Sequence, residues 1–76
     1  MGDKALEPVG ERIRRLRTAA GIGQERLALL ARVDQSGLSK FERGGRGLGA
    51  APLRRIAEVL GVTFESLVAD TVPHHD

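Results

Sequence analysis

Apolar residues recur along most of the chain at intervals of three and four positions, the spacing that places side chains on one face of an α-helix. Polar residues fill the positions between them. The apolar positions are Val9, Ile13, Leu16 and Ala20; Leu27, Ala28 and Ala31; Leu38 and Phe41; Leu53, Ile56, Ala57 and Leu60; and Phe64, Leu67 and Val68. No stretch alternates apolar and polar residues as a half-buried strand would. The pattern therefore predicts an all-α protein with five helices.

Glycines and capping residues mark where these helices begin and end. Gly21 and Gly61 are predicted to end the first and fourth helices. The second helix is predicted to begin near Gln24. Asp34 is a good N-cap for the third helix, and Thr63 has the same role for the fifth.

Three segments follow from this pattern. Residues 1–8 show no apolar period and end at Pro8, so we expect a flexible N-terminal arm. Residues 9–70 carry the five helices and form the folded domain. Residues 71–76 are predicted to be a polar C-terminal tail. A chain of 76 residues is too short for two cores, so one small domain is expected.

Composition excludes several classes of protein. The chain has no cysteine, which rules out disulfides and thiolate metal sites. His74 and His75 are neighbours in the tail, and two adjacent histidines cannot complete a metal site alone, so no metal and no cofactor are expected. No apolar run is long enough to cross a bilayer, and no signal peptide is recognisable. We expect a cytoplasmic protein without a membrane partner.

Positive charge is concentrated in the middle of the chain. Residues 12–55 hold eleven basic and three acidic residues, an excess of eight positive charges, although the whole chain carries only +2. Ten of the twelve basic residues in the chain are arginines, whose guanidinium suits bidentate contact with phosphate and guanine. This segment favours a polyanionic partner, and a solvated charged surface is the alternative.

Two charged residues lie beside apolar faces. Arg17 follows Ile13 by four positions, and Glu42 follows Leu38 by four positions. Because a buried charge is costly unless it is paired, the economical arrangement joins Arg17 to Glu42 in an ion pair across the core. The alternative is that both side chains reach water from the edge of the apolar face.

Only three or four residues separate the second and third helices, which is typical of a helix-turn-helix. The stretches "GERIRRLRTAAGIGQERLALLARVDQSGLSKFERG" and "LRRIAEVLGVTFESL" resemble the DNA-binding domain of phage Cro and repressor proteins, the XRE family. The resemblance extends over about residues 9–70. It implies a compact five-helix, lambda-repressor-like domain with a central helix-turn-helix.

The resemblance also implies roles for individual residues. Three residues of the third helix match positions that face base edges, namely Gln35, Ser36 and Lys40. Four residues match positions that contact the DNA backbone or brace the recognition helix, namely Gln24, Ser39, Arg43 and Arg46. The Arg17 and Glu42 pair matches a core salt bridge common in the family.

Side-chain chemistry is consistent with these roles. Glutamine can bond adenine bidentately, lysine can donate to guanine, and serine can bond either kind of base edge. Each residue also has a simpler interpretation. Gln35 and Ser36 lie in the first turn of a helix, where they could satisfy free backbone groups. Lys40 could be a solubilising residue on an exposed face.

Several positions depart from the family pattern. Gly23 replaces the Ser or Thr that often caps the second helix, and Arg32 lies where the turn usually has Gly, so a positive φ is expected there. Leu29 and Leu30 occupy positions that are usually polar, and they either extend the core or form an apolar patch. Gly37 weakens the third helix, either to permit close approach to DNA or because packing tolerates it.

The sequence predicts a transcriptional regulator that binds double-stranded DNA at a (pseudo)palindromic operator as a homodimer. The alternative function is a protein-interaction module, for example antitoxin-like, that retains the fold with weak or no DNA binding. No constellation of catalytic residues is recognisable, so the chain is not expected to be an enzyme.

The predicted dimer interface involves the fourth and fifth helices. Phe64 and Leu67 are expected to point inward, and Val68 and Val72 continue the apolar line of the fifth helix as the residues left exposed for a contact. A two-fold contact there places the recognition helices about 34 Å apart, the spacing of successive major grooves. Leu29 and Leu30 form the competing patch.

Overall fold

The structure, a computed structural model, describes residues 7–69. Within them it contains five α-helices and no strand, namely α1 (Val9–Ala19), α2 (Gln24–Ala31), α3 (Gln35–Gly44), α4 (Ala50–Leu60) and α5 (Phe64–Val68). Helix α1 packs against α3 and α5, α2 packs against α3 and α4, and α4 also contacts α5. The predicted tail and most of the predicted arm lie outside the described residues. The prediction of an all-α domain with five helices is confirmed.

Each helix contributes one large, fully buried apolar side chain to a single core. These side chains are Ile13, Leu27, Leu38, Ile56 and Leu67. All five are positions that the helical period predicts to face inward. The prediction that Ala20 shares the face of Ile13 is wrong, because α1 ends at Ala19 and Ala20 is exposed. The chain leaves the helical path at that point, so the period no longer applies.

Three helices end in the same way, with a left-handed residue followed by a half-buried β-branched residue. The pairs are Gly21-Ile22 after α1, Arg32-Val33 after α2 and Gly61-Val62 after α4. In each pair the amide of the β-branched residue donates to the carbonyl five residues earlier, at 2.9 to 3.0 Å. Arg32 has a φ of 58°, and among the described residues it is the one non-glycine with a positive φ. The expectation for this turn position is confirmed.

Arg55 of α4 holds the end of α2 in place. Its Nε donates to the carbonyl of Ala31 at 2.7 Å and its Nη2 donates to the carbonyl of Arg32 at 3.3 Å. The last carbonyls of a helix have no partner within the helix, and a cation is favourable beside them. Arg55 therefore fixes the turn that leads from α2 into α3.

Gly10 permits a close approach between α1 and α3. A Cβ atom built at Gly10 would lie 2.1 Å from the carbonyl oxygen of Phe41, so the first turn of α1 sits directly against α3. A Cβ atom at Gly37 would meet only the side chain of Asp34, at 3.8 Å or more. Folding therefore requires a glycine at position 10 and does not require one at position 37.

The predicted ion pair between Arg17 and Glu42 is present. Arg17 Nε donates to Glu42 Oε2 at 2.8 Å and Arg17 Nη2 donates to Glu42 Oε1 at 3.0 Å. The side chains are 12% and 4% exposed. Arg17 Nη1 also donates to the carbonyl of Ile22, and Gln24 Nε2 donates to Glu42 Oε1, both at 3.1 Å. The hydrogen bonds to Glu42 raise the pKa of Arg17 above its ordinary value.

Arg12 has a structural role that the sequence does not reveal. It is 6% exposed, and its Nη1 donates to the carbonyls of Ser66, Leu67 and Ala69 at 2.9 to 3.1 Å. The interpretation of Arg12 as part of a polyanion-binding segment is therefore wrong. The guanidinium is buried because it satisfies carbonyl groups at the end of α5, and it ties that helix to α1.

Glu7, which belongs to the predicted arm, is held against α1. Its carboxylate accepts from Arg15 Nε and Nη2 at 2.7 and 2.9 Å and from Arg12 Nε at 3.3 Å. The hydrogen bonds from Arg15 lower the pKa of Glu7, despite an opposing contribution from desolvation.

The substitution Glu42→Ala tests the buried pair. It leaves Arg17 without its carboxylate in a nearly dry site, and we expect it to lower the free energy of unfolding by about 3–5 kcal/mol. The double variant Arg17→Met with Glu42→Leu should recover most of that loss, because neither charge then remains. Glu58→Ala, which removes an exposed carboxylate, should change stability by less than about 0.5 kcal/mol. Denaturant unfolding gives all three values, and a Glu42→Ala variant as stable as the parent would show that the two charges are solvated.

Candidate nucleic-acid interface

Helices α2 and α3 are joined by the three residues 32–34, which form a tight turn. Asp34 is the N-cap of α3, as the sequence predicts, and its Oδ2 accepts from the amide of Gly37 at 3.1 Å. The same oxygen accepts a short hydrogen bond from Ser36 Oγ. The Ser36 hydroxyl and the Gly37 amide lower the pKa of Asp34. The start of α3 is therefore capped by an ionised carboxylate at neutral pH.

The polar residues of α3 occupy one side of the helix. At 100° per residue they fall in a sector of about 140°, opposite the buried Leu38 and Phe41. The residues in this sector are Gln35, Ser36, Ser39, Lys40 and Arg43. Ser39 is half-buried and the other four are exposed. We call this sector the polar face of α3.

One end of the polar face borders a cleft of about 690 Å³ between α1, the start of α2 and α3. Gln24, Ser39 and Arg43 line this cleft, so the structure brings together three of the four predicted backbone or bracing residues. Arg43 Nη1 donates to Ser39 Oγ at 3.0 Å, and Gln24 contacts α3 through Glu42. Arg14 of α1 lines the opposite wall.

The remaining predicted site residues lie outside this cleft. Gln35, Ser36 and Lys40 lie along the rest of the polar face, and Arg46 lies in the loop between α3 and α4, where it is exposed. Arg14 is missed by the sequence reasoning, because its position on the wall of the cleft depends on how α1 packs against α3.

The structure reduces the basic segment to a smaller set of exposed cations. Arg12, Arg15, Arg17 and Arg55 bond to groups within the chain. The guanidinium of Arg54 lies 4.2 Å from the centre of the Phe64 ring. Among residues 7–69, the exposed cations with no acceptor of this kind are Arg14, Arg26, Arg32, Lys40 and Arg46, and Arg43 bonds the hydroxyl of Ser39. Charge counting overestimates the binding surface because it does not show which arginines have intramolecular acceptors.

Leu29 and Leu30 are 74% and 49% exposed, which decides between the two interpretations of these residues. They do not extend the core, and they form an apolar patch on the outer side of α2. Val68 is half-buried against the core, so it is less exposed than the sequence predicts. Val72 lies outside the described residues.

The described residues carry neither a metal-ligand cluster nor a membrane-spanning helix. Within residues 7–69, no three His, Cys, Asp or Glu side chains come together as metal ligands would. His74 and His75 lie outside this range. Among the same residues, no helix has the length and apolar character needed to cross a membrane.

Comparison with known proteins gives a family and relatives. A helix-turn-helix family model, HTH_3, matches residues 13–67. The uncharacterized HTH-type transcriptional regulator RghRB of Bacillus subtilis (strain 168) is 34% identical over 65 residues, which cover 84% of this chain. The chain spans 47% of the length of RghRB. It spans 66% of the length of a second relative, the uncharacterized transcriptional regulator in the ATPase CF(0) region of Rhodospirillum rubrum. These names agree with the prediction that the chain is not an enzyme.

Two solved structures have a closely similar fold. The restriction-modification controller protein C.AhdI from Aeromonas hydrophila is 37% identical with a TM-score of 0.74, over 79% of this chain and 91% of that one. The biofilm regulator SinR, solved in complex with DNA, is 32% identical with a TM-score of 0.72, over 78% of this chain and 95% of that one. Since the family model covers most of the helical domain, this chain belongs to the XRE-type helix-turn-helix family, whose named relatives are transcriptional regulators.

Proposed function

We propose that the chain regulates transcription by binding a (pseudo)palindromic operator in double-stranded DNA as a homodimer, with α3 in the major groove. The observation that carries this proposal is the largely exposed polar face of α3, which adjoins a cleft that Arg14 and Arg43 help to line. A helix of this width fits the major groove, and a helix-turn-helix presents its second helix there. SinR, which shares the fold, was solved in complex with DNA, and this supports DNA as the ligand.

The exposed residues at the start and middle of the polar face read the bases. Gln35 offers an amide that can bond adenine, and Lys40 offers an ammonium group that can donate to guanine O6 and N7. Ser36 lies beside Gln35 in the first turn of α3. These three side chains carry the sequence-dependent part of the affinity.

Residues in the cleft and in the loop after α3 contact the DNA backbone. Arg43, Arg46 and Arg14 supply positive charge for phosphates, and Ser39 orients Arg43 through its hydroxyl oxygen. Gln24 uses one amide proton for Glu42, which leaves its second amide proton for a phosphate. Phosphate contacts of this kind fix the position of the domain on DNA and add affinity that does not depend on sequence.

The homodimer contact is proposed to involve Val68 and Val72, with α4 and α5 at the two-fold axis. One domain presents few base contacts, and a dimer doubles them. Arg12 fixes the end of α5 to α1 through three carbonyls, so α5 is held rigidly relative to the rest of the domain. A rigid α5 would give the two recognition helices a defined separation.

The substitutions Lys40→Ala and Arg46→Ala separate base reading from phosphate contact. Lys40→Ala should weaken operator binding by roughly 1–3 kcal/mol and barely change binding to random duplex. Arg46→Ala should weaken both duplexes alike and reduce the salt slope of log K by about one unit. Arg15→Ala is the matched control, because Arg15 is already paired with Glu7.

Fluorescence anisotropy at several salt concentrations measures the affinity and its salt slope. The duplexes are an operator obtained by in vitro selection and a scrambled version of it. If Lys40→Ala and Arg46→Ala gave the same profile, the division between base and phosphate roles would be wrong.

The substitution Val68→Glu tests the dimer. A carboxylate at a two-fold contact meets its own copy, so we expect monomers in sedimentation and a loss of operator affinity. Leu29→Glu introduces the same charge on α2 and should leave the dimer intact. Because Val68 also touches the core, a melting curve must show that the variant is folded. A folded Val68→Glu variant that still sediments as a dimer would place the interface elsewhere.

A second candidate function is a protein-interaction module with weak or no DNA binding. The observation that favours it is the exposed apolar patch formed by Leu29 and Leu30. A mobility-shift assay with random duplex at low salt separates the two functions. Binding supports the regulator, and its absence with a folded chain supports the interaction module.

A further inference from the structure

The hydroxyl group of Ser36 is held in one orientation by its neighbour Asp34. Ser36 Oγ donates a short hydrogen bond to Asp34 Oδ2, and the same carboxylate oxygen accepts the amide of Gly37. Asp34 and Ser36 are both exposed at the N-terminal end of α3. The proton of the exposed Ser36 hydroxyl is therefore directed at Asp34.

A fixed donor direction decides what Ser36 can bond. A serine hydroxyl has one proton and two lone pairs, and the proton of Ser36 is directed at Asp34. Only the lone pairs remain for a ligand. Asp34 has a lowered pKa and is ionised at neutral pH, so it cannot return a proton to Ser36. Rotating the hydroxyl toward a base acceptor would break a hydrogen bond to a charged group, which is stronger than one between neutral groups.

The bases differ in what they present to such an acceptor. In the major groove, adenine N6 and cytosine N4 are amino donors, whereas thymine O4 and guanine O6 are acceptors. An unconstrained serine can bond either kind, which is why serine alone specifies little. The carboxylate of Asp34 adds negative charge beside the contact, and that charge also disfavours a keto oxygen.

We propose that Asp34 is a specificity-determining residue that makes the Ser36 hydroxyl a hydrogen-bond acceptor, an inference that rests on the proposed function. The pair then selects an amino base, adenine or cytosine, on the strand that Ser36 contacts. The expected discrimination against guanine and thymine at that position is about five-fold, the ratio that one hydrogen bond carries. Asp34 thereby has two functions, since it also caps α3.

Selection of bound sequences from a randomised duplex library tests this proposal with the full chain. Three variants are compared with the parent. Ser36→Ala removes the acceptor and identifies the base position concerned, which should lose its preference while other positions keep theirs. Asp34→Ser retains a good helix cap and frees the Ser36 hydroxyl, so guanine and thymine should become accepted at that one position. Glu25→Gln is the charge control, because it removes an exposed carboxylate at the start of α2 and should leave the preference unchanged.

Circular dichroism melting confirms that each variant is folded. The proposal is overturned if the position identified by Ser36→Ala carries guanine or thymine in the parent, or if Ser36→Ala changes no position. It is also overturned if folded Asp34→Ser keeps the parental preference. A parent chain that enriches no sequence at all would overturn the proposed operator binding as well, so the two failures are distinguishable.

Discussion

The buried ion pair between Arg17 and Glu42 is the constraint on which the arrangement of the binding surface depends. It joins α1 to α3. Arg17 also donates to the carbonyl of Ile22, and Glu42 accepts from the side-chain amide of Gln24 at the start of α2. Charges that are nearly removed from water are costly without hydrogen-bond partners, so the pair favours the arrangement of these three helix segments in which both charges are bonded. Gly10 permits this arrangement by letting α1 approach the backbone of Phe41. The polar face of α3 is therefore positioned before any ligand is present.

The arginines divide into two physical roles. Arg12 and Arg55 satisfy carbonyl groups at helix ends, and each ties two helices together through main-chain acceptors. A guanidinium is suited to this because its five donors can bond several carbonyls at once. Exposed arginines such as Arg14 and Arg43 border the cleft beside the polar face. The first role ties helices together around a small core, and the second provides the positive charge to which the proposed function assigns phosphate contacts.

Sequence patterns predict the helices because apolar residues recur on one helical face. Positions beside those faces suggest the ion pair, and the family resemblance favours it over two solvated charges. The five buried side chains and the N-caps Asp34 and Thr63 were recoverable in this way. The structural role of Arg12 could not be predicted, because its acceptors are main-chain carbonyls 54 to 57 residues away and no side chain marks them. Arg55 is similar, since a carbonyl at the end of another helix leaves no trace in the sequence. The roles of individual residues on DNA depend on geometry with a partner, so they are proposals.

The most direct test is a nuclear magnetic resonance titration of the ¹⁵N-labelled chain with a duplex from the selection. If the ion pair fixes a surface that is ready to bind, the Nε–H signal of Arg17 is resolved in the free protein and stays in place on binding. The largest amide shifts then fall on α3 and on the residues around the cleft. Large shifts on the side of α2 that carries Leu29 and Leu30, with α3 unchanged, would contradict the account.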